Sequence, residues 1–183
     1  MGRPREFDRA LALQAAMHVF WERGGYDRTS ISHLTEAMGI SSPSLYATFG
    51  GKQGLYDEAV ELYAAREATP LVIALTERTA YGFVERLLYA AIEDCTNDTQ
   101  PLGCLVNTDP LLVHRRDDGH AVIAKRLQQA LDDGDLPASA DPHHLAECLI
   151  VVINGLSARA RDGVRRDELR AVADIVLQGW PRH

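Results

Sequence analysis

The sequence predicts an all-α protein. Apolar residues recur at helical spacing, as Leu13, Met17 and Phe20 do in the first such segment. Glycines and Ser-Pro or Asp-Pro steps separate these segments, which is typical of helix ends and starts. No stretch alternates between apolar and polar residues for long enough to predict a strand. With 46% hydrophobic and 25% charged residues, the composition is that of a globular protein rather than a disordered one.

The N-terminal part of the chain predicts four helices. They cover residues 8–23, 30–38, 42–49 and 52–66. Thr29 or Ser30 can cap the second helix. Ser42 suits the N-cap of the third and Pro43 its first helical position. Gly54 lies inside the fourth helix, where a glycine costs about 0.5–1 kcal/mol, so we expect that helix to be weakened.

The rest of the chain predicts up to six more helical segments. They lie near residues 70–79, 81–95, 102–113, 118–133, 141–161 and 165–179. The first of these is either a helix or a turn between its neighbours. Asp141-Pro142 repeats the signal of a cap followed by a proline. Gly134 and Gly163 mark turns between the later segments.

The net charge of −7 is distributed unevenly. Residues 1–52 carry six Lys or Arg against five Asp or Glu, a net of +1. Residues 53–183 carry thirteen against twenty-one, a net of −8. A DNA-binding protein needs positive potential only where it meets phosphate, so an acidic second domain is compatible with DNA binding.

Several other classes of protein find no support in the sequence. No apolar run approaches the ~18 residues of a membrane span, and the N-terminus lacks the apolar stretch of a signal peptide, so we expect a cytoplasmic protein. We find no nucleophile–base pair, phosphate loop or metal cluster, and therefore expect neither an enzyme nor a cofactor. Three cysteines fit no disulfide framework. His143, His144 and Cys148 are expected to be surface residues rather than metal ligands.

Residues 30–49 have the pattern of a helix-turn-helix, in which two short helices are joined by a tight glycine turn. The second helix of such a motif presents small polar residues to base edges, while here Leu45 and Phe49 face inward. Tyr46 offers a hydroxyl to a phosphate, and Lys52 adds a cation beside a helix N-terminus. The candidate DNA-binding residues are Thr29, Ser30, Ser32, Ser42, Pro43, Ser44, Tyr46, Ala47, Thr48 and Lys52.

The run TSISHLTEAMGISSPSLYATF, residues 29–49, resembles the signature of the TetR family of bacterial regulators, the tetracycline-repressor-like proteins. Lys52 and Leu55 continue the match, which covers about residues 2–63. The resemblance implies a helix-turn-helix DNA-binding domain over residues 1–52 and a helical effector-binding and dimerisation domain over residues 53–183. It implies a homodimer, more often a repressor than an activator, that a small molecule releases from an inverted-repeat operator in double-stranded DNA. Arg3 and Arg5 are either a terminus without a role or an arm for the minor groove.

Two apolar helix faces near the C-terminus predict a dimer interface, with a face buried inside one chain as the alternative. The predicted interface residues are Leu145, Leu149, Val152, Ile153 and Leu156 on one helix and Leu169, Val172 and Val176 on the last.

Cys104 begins the predicted helix 102–113 and is the candidate residue of an effector pocket. A helix start favours a thiolate, whereas apolar neighbours favour an inert buried thiol. The alternative function is a helical-bundle enzyme or small-molecule carrier without a DNA role.

Overall fold

The computed structural model describes residues 7–66 and 69–182, and over these residues all regular structure is helical. The chain divides into two compact units with the boundary after Arg66. Arg3 and Arg5, the predicted arm, lie outside the described residues. None of the described helices is long and apolar enough to cross a membrane.

The first unit is a four-helix domain. Its helices are α1 (Arg9–Arg23), α2 (Ile31–Met38), α3 (Ser42–Phe49) and α4 (Lys52–Ala64). The α4 helix packs along α1, with edge-to-face ring contacts of Phe20 with Tyr56 at 5.0 Å and of Trp21 with Tyr63 at 4.8 Å between centroids. The predicted division after residue 52 therefore differs from the structure, because these aromatic contacts make α4 part of the first unit.

The second unit is built around one central helix. Its helices are α5 (Pro70–Ala74), α6 (Ala80–Cys95), α7 (Leu105–Thr108), α8 (Val113–Asp132), α9 (Pro142–Arg161) and α10 (Arg166–Gln178). The central helix α6 buries Phe83, Leu88 and Ile92 completely and packs against α5, α9 and α10. The Tyr89 hydroxyl donates to the Asp174 carboxylate of α10 at 2.5 Å, and this hydrogen bond, together with burial and the negative charge of Asp174, raises the pKa of Tyr89 to about 12.

The predicted helix 102–113 does not exist as one element. Proline disfavours helical backbone in the residue before it, and Asp109 before Pro110 is extended, with φ −84° and ψ 118°. The Asp109 carboxylate accepts a hydrogen bond from the Leu111 N–H and begins a 3₁₀ turn over Pro110–Leu112. This turn leads directly into α8, which therefore starts at Val113 rather than near residue 118. What remains of the predicted helix is the single turn of α7.

Candidate DNA-binding site

The start and end of α2 are fixed by hydrogen bonds between neighbouring residues. The Ser30 hydroxyl accepts from the His33 N–H, and His33 Nδ1 accepts from the Ser30 N–H, each at 3.2 Å. This reciprocal pair is a capping box, with a histidine in place of the usual Glu or Gln. Gly39 ends α2 in the left-handed conformation, with φ 65°. The turn to α3 is therefore encoded locally.

The cap of α3 is Ser41, one residue earlier than predicted. Its hydroxyl accepts from the Ser44 N–H at 3.3 Å and shares a 2.9 Å hydrogen bond with the Ser44 hydroxyl. Ser42 and Pro43 are consequently the first two helical residues. The prediction that Ser42 is the cap was wrong because Ser41 offers the same hydroxyl. The Ser42 hydroxyl makes no hydrogen bond within the part of the chain that the structure describes.

The α3 helix separates a buried face from an exposed one. Leu45 and Phe49 are 0% and 4% exposed and belong to the core of the first unit. The other predicted residues of this helix face outward to different degrees. Ser42, Pro43, Tyr46 and Ala47 are exposed, and Ser44 and Thr48 are half-buried. We call these six residues, with the exposed Ser30 and Ser32 at the start of α2, the α2–α3 surface.

Thr29 does not belong to this surface. Its side chain is 2% exposed, and its hydroxyl donates to the Gly25 carbonyl oxygen at 2.9 Å. The structure therefore contradicts the prediction that Thr29 contacts DNA: this threonine closes the turn after α1. Sequence alone did not reveal this because an N-cap role for Thr29 was equally compatible with its position before α2.

The α4 N-terminus lies beside Tyr46. The backbone of Gly51, the N-cap, has a φ of 114°, and a Cβ there would lie 3.2 Å from Cε1 of the Tyr46 ring. Since no side chain caps α4, its first N–H groups are open to an anion. The Lys52 ammonium lies 3.9 Å from the centre of the Tyr26 ring, which holds the cation at this helix start. The Tyr46 ring and Lys52 thus each lie next to the α4 N-terminus, and a hydroxyl, an ammonium and helix N–H groups are donors of the kind that bind phosphate.

The charges of this region are sparse. Between residues 29 and 51 the only formal charge at neutral pH is that of Glu36, so α3 offers hydroxyl and methyl groups rather than guanidinium or amide groups. Arg28, which the sequence analysis did not include, is exposed just before α2 and has no ion-pair partner among the described residues. Its place next to the predicted cap was the signal that could have identified it.

The predicted dimer-interface residues fall into two groups. Leu149, Leu156 and Leu169 are at most 3% exposed and belong to the core of the second unit, so the structure contradicts their assignment to a surface. Leu145, Val152, Ile153 and Val176 are partly buried against that core, while Val172 is 47% exposed. The most exposed apolar residues of α9 and α10 are Val151 and Ile175, at 61% and 69%.

Cys104 is half-buried at the start of α7. Its N–H donates to the Ser157 hydroxyl of α9 at 2.9 Å. The expected helix start is a single turn of four residues, too short to supply the positive end on which the thiolate argument rested. Among the described residues no group of three or more His, Cys, Asp or Glu has the geometry of a metal site.

Two bacterial repressors are similar to this chain over nearly its whole length, and a family model matches part of its first unit. A family model described as bacterial regulatory proteins, tetR family, matches residues 12–59. The chain is 35% identical to the HTH-type transcriptional repressor ComR of Escherichia coli K12, over 98% of this chain and 92% of that protein. It is 34% identical to the HTH-type transcriptional repressor BdcR of the same organism, over 94% and 88%.

A solved structure extends the similarity to the three-dimensional fold. It is a cysteine mutant of the TetR family transcriptional regulator CifR, complexed with 26-bp double-strand operator DNA. It matches with a TM-score of 0.90 and 38% identity, and covers 98% of this chain and 100% of that chain. With its capped α2–α3 pair, its exposed α3 face and these full-length relatives, the chain belongs to the tetR family of bacterial regulatory proteins and is a DNA-binding transcriptional regulator.

Proposed function

We propose that this protein is a cytoplasmic, homodimeric repressor, and not an enzyme, that binds an inverted-repeat operator and leaves it when a small molecule binds the second unit. The repressor role is supported by ComR and BdcR, which carry that description at 35% and 34% identity. Operator binding is supported by the CifR complex with double-strand operator DNA. The observation that carries the proposal is the α3 helix, whose outward face is exposed while Leu45 and Phe49 anchor it in the core.

The α2–α3 surface and the neighbouring α4 N-terminus contact both phosphates and bases. The open α4 N-terminus, the Lys52 ammonium and the Tyr46 hydroxyl bind the DNA backbone and fix the position of α3 in the major groove. The Ser42 hydroxyl and the side chains of Pro43 and Ala47 meet base edges. Because α3 has no Arg, Lys, Asn or Gln, it lacks the side chains that read G or A with two hydrogen bonds. Hydroxyl contacts and apolar contacts with thymine methyl groups therefore carry direct readout from this helix.

A second copy of the chain covers the exposed apolar stripes of α9 and α10. On α9 the stripe contains Cys148, Val151 and Gly155, spaced as i, i+3 and i+7. Val172 and Ile175 of α10, together with its C-cap Gly179, have the same spacing. We call these six residues the α9–α10 surface. Two such helices from each protomer make a four-helix interface, and a two-fold dimer requires half-sites about one helical turn (~34 Å) or a multiple apart.

The response to the effector is a two-state change. A small molecule that binds one conformation of the second unit better than the other favours that conformation, in which the two α3 helices no longer match successive major grooves.

Cys104 remains part of this proposal as a residue at or near the effector site. Because Cys104 is half-buried and Cys95 is buried, we expect faster alkylation of Cys104 than of Cys95, with altered DNA binding of the modified protein. Slow labelling of Cys104, together with a Cys104→Ser variant that still responds to its effector, would make this thiol a packing residue.

The experiment that tests the DNA face is a salt titration of operator binding with Lys52→Ala. Losing one phosphate contact per subunit should weaken binding on all DNA sequences and lower the slope of log affinity against log salt by about 1 per subunit. Lys125→Ala is the matched control, because Lys125 is an exposed lysine on α8 in the second unit. If Lys52→Ala and Lys125→Ala had the same slope as the unmodified protein, the assigned DNA face would be wrong.

A further inference from the structure

A surface cleft of about 630 Å³ lies in the second unit where the end of α6, the end of α9 and the start of α10 meet. Its apolar wall includes Leu102, Ala160 and Val164. Three arginines of the α10 start, Arg165, Arg166 and Arg170, line the same cleft. An apolar wall beside guanidinium groups is the chemistry of a site for an anion with an apolar part.

The three arginines are not equally neutralised. Arg170 donates to the Glu93 carboxylate at 2.6 Å. Arg165 donates from Nε and Nη2 to the Asp167 carboxylate at 3.0 and 2.5 Å. Arg166 donates only to neutral oxygens, from Nε to the Thr96 hydroxyl at 2.8 Å and from Nη2 to the Thr96 carbonyl at 3.1 Å. Within the described residues no carboxylate pairs with Arg166, so one cationic group of the cleft is uncompensated.

Thr96 also fixes the direction of the Arg166 guanidinium. The two hydrogen bonds occupy Nε and one N–H of Nη2, which leaves both N–H groups of Nη1 and the second one of Nη2. These free donors form the end of the guanidinium fork, and a carboxylate can accept two parallel hydrogen bonds from it. Because Thr96 holds the fork, less side-chain freedom is lost when a ligand binds.

The carboxylate of Asp167 places a negative charge next to the position of such a ligand. The Arg165 side chain lowers the pKa of the Asp167 carboxyl, and the backbone N–H groups of Asp167 and Glu168 at the α10 start add to this effect. The carboxylate of Asp167 therefore already occupies the anion-binding end of α10. Its ion pair with Arg165 is exposed, and exposed pairs are weak, so Asp167 places a negative charge in the cleft without filling the fork of Arg166.

We propose that this cleft binds a small organic carboxylate with a short alkyl chain. The carboxylate lies on the free fork of Arg166, and the chain covers Leu102, Ala160 and Val164. All the lining residues belong to the second unit, so the site stands independently of the proposed DNA interface. It also differs from the Cys104 hypothesis, since Cys104 does not line the cleft.

The test is an NMR titration of the full-length ¹⁵N-labelled protein with butyrate, following the Gly163 amide and the Arg166 Nε signal. Arg166→Gln should weaken binding at least about tenfold, because it removes a charge-assisted pair of hydrogen bonds. Asp167→Asn should tighten binding about threefold or more, because it removes a like charge from the cleft. Arg159→Gln is the matched control: Arg159 is an exposed α9 arginine paired with Asp162 and does not line the cleft.

Two further ligands test the charge and the alkyl chain separately. Butyramide, which has the same alkyl chain without the charge, should not bind measurably, and inorganic phosphate, without the chain, should bind more weakly than butyrate. Equal affinity of Arg166→Gln and the unmodified protein for butyrate would overturn the proposal, as would phosphate binding as tight as that of butyrate. If Arg166→Gln did not fold, Asp167→Asn would serve as the test. An affinity of Asp167→Asn for butyrate no higher than that of the unmodified protein would then overturn the proposal.

Discussion

In the α2–α3 segment, the residues that define each helix end lie within a few positions of one another, whereas the buried faces of α9 and α10 are set by contacts across the second unit. Ser30 pairs with His33, and Ser41 pairs with Ser44. By contrast, Leu149 is buried in a core that includes residues of α6, α8 and α10. Local hydrogen bonds therefore locate helix ends, while the face of a helix that becomes core depends on which other helices pack against it.

The two apolar stripes of α9 illustrate this lesson. Leu149 and Leu156 lie seven residues apart on the buried face, and Val151 lies on the exposed face of the same helix. The sequence predicted a single dimer interface from the wide apolar face that contains Leu149 and Leu156, and Val151 was not part of that prediction. In the structure Leu149 and Leu156 are core, while the exposed apolar residue of α9 is Val151. Identical substitutions on the two stripes should therefore have different consequences.

The largest expected effect separates Leu149→Glu from Ile175→Glu. Leu149 is fully buried, so a carboxylate there should lower the free energy of unfolding by about 4 kcal/mol or more, since truncation alone costs 2–5 kcal/mol and burial of a charge adds to it. Ile175 is 69% exposed in a single protomer, so its variant should lose only the stability that dimerisation contributes and should form folded monomers that bind the operator poorly. Thermal unfolding and sedimentation velocity measure the two outcomes. A stable dimer of Ile175→Glu would place the interface elsewhere.

An intermediate effect is expected for Gly54→Ala, for which helix propensity and the folded structure predict stability changes of opposite sign. By helix propensity alone, Gly54→Ala should stabilise α4 by about 1 kcal/mol. A Cβ at Gly54 would, however, lie 2.1 Å from the Phe49 carbonyl oxygen, so the end of α3 must shift. We expect a net loss of about 1–3 kcal/mol.

Gly119→Ala provides the matched control for Gly54. Gly119 lies within α8, and a Cβ there would meet nothing within 4 Å, so the substitution should raise the free energy of unfolding by about 0.5–1 kcal/mol. Denaturant titrations of both variants give the comparison. Stabilisation by both substitutions would contradict the close approach of α4 to the end of α3.

The smallest expected effect distinguishes two neighbouring serines of the α2–α3 segment. Ser41→Ala removes the cap of α3 and should cost about 1 kcal/mol of stability. Ser42→Ala removes a hydroxyl without an intramolecular partner, so stability should change by less than about 0.5 kcal/mol while operator affinity falls about three- to tenfold. Unfolding curves and fluorescence anisotropy on operator DNA measure the pair. A stability loss from Ser42→Ala equal to that from Ser41→Ala would return the cap to Ser42.

Much of the DNA-binding region could be predicted from sequence because its signals are local. The glycine after Met38, the serines before Pro43 and the inward Leu45 and Phe49 placed the two helices to within one residue. The errors also have local causes. Ser41 and Ser42 each carry a hydroxyl that could cap α3, and only the folded backbone decided that Ser41 is the cap. Thr29 and Ser30 each carry one that could cap α2, but in the structure Ser30 is the cap and Thr29 closes the preceding turn.

By itself, the sequence determined the all-α class, the helix-turn-helix, and the family resemblance that the full-length relatives confirm. Helical periodicity and capping depend on residues at most four positions apart, which the sequence states directly. Only the tertiary structure decided that α4 belongs to the first unit and that Leu149 is core. It also placed Thr96 against Arg166, seventy residues later in the chain. These contacts depend on packing between helices distant in sequence, whose pairing no local pattern specifies.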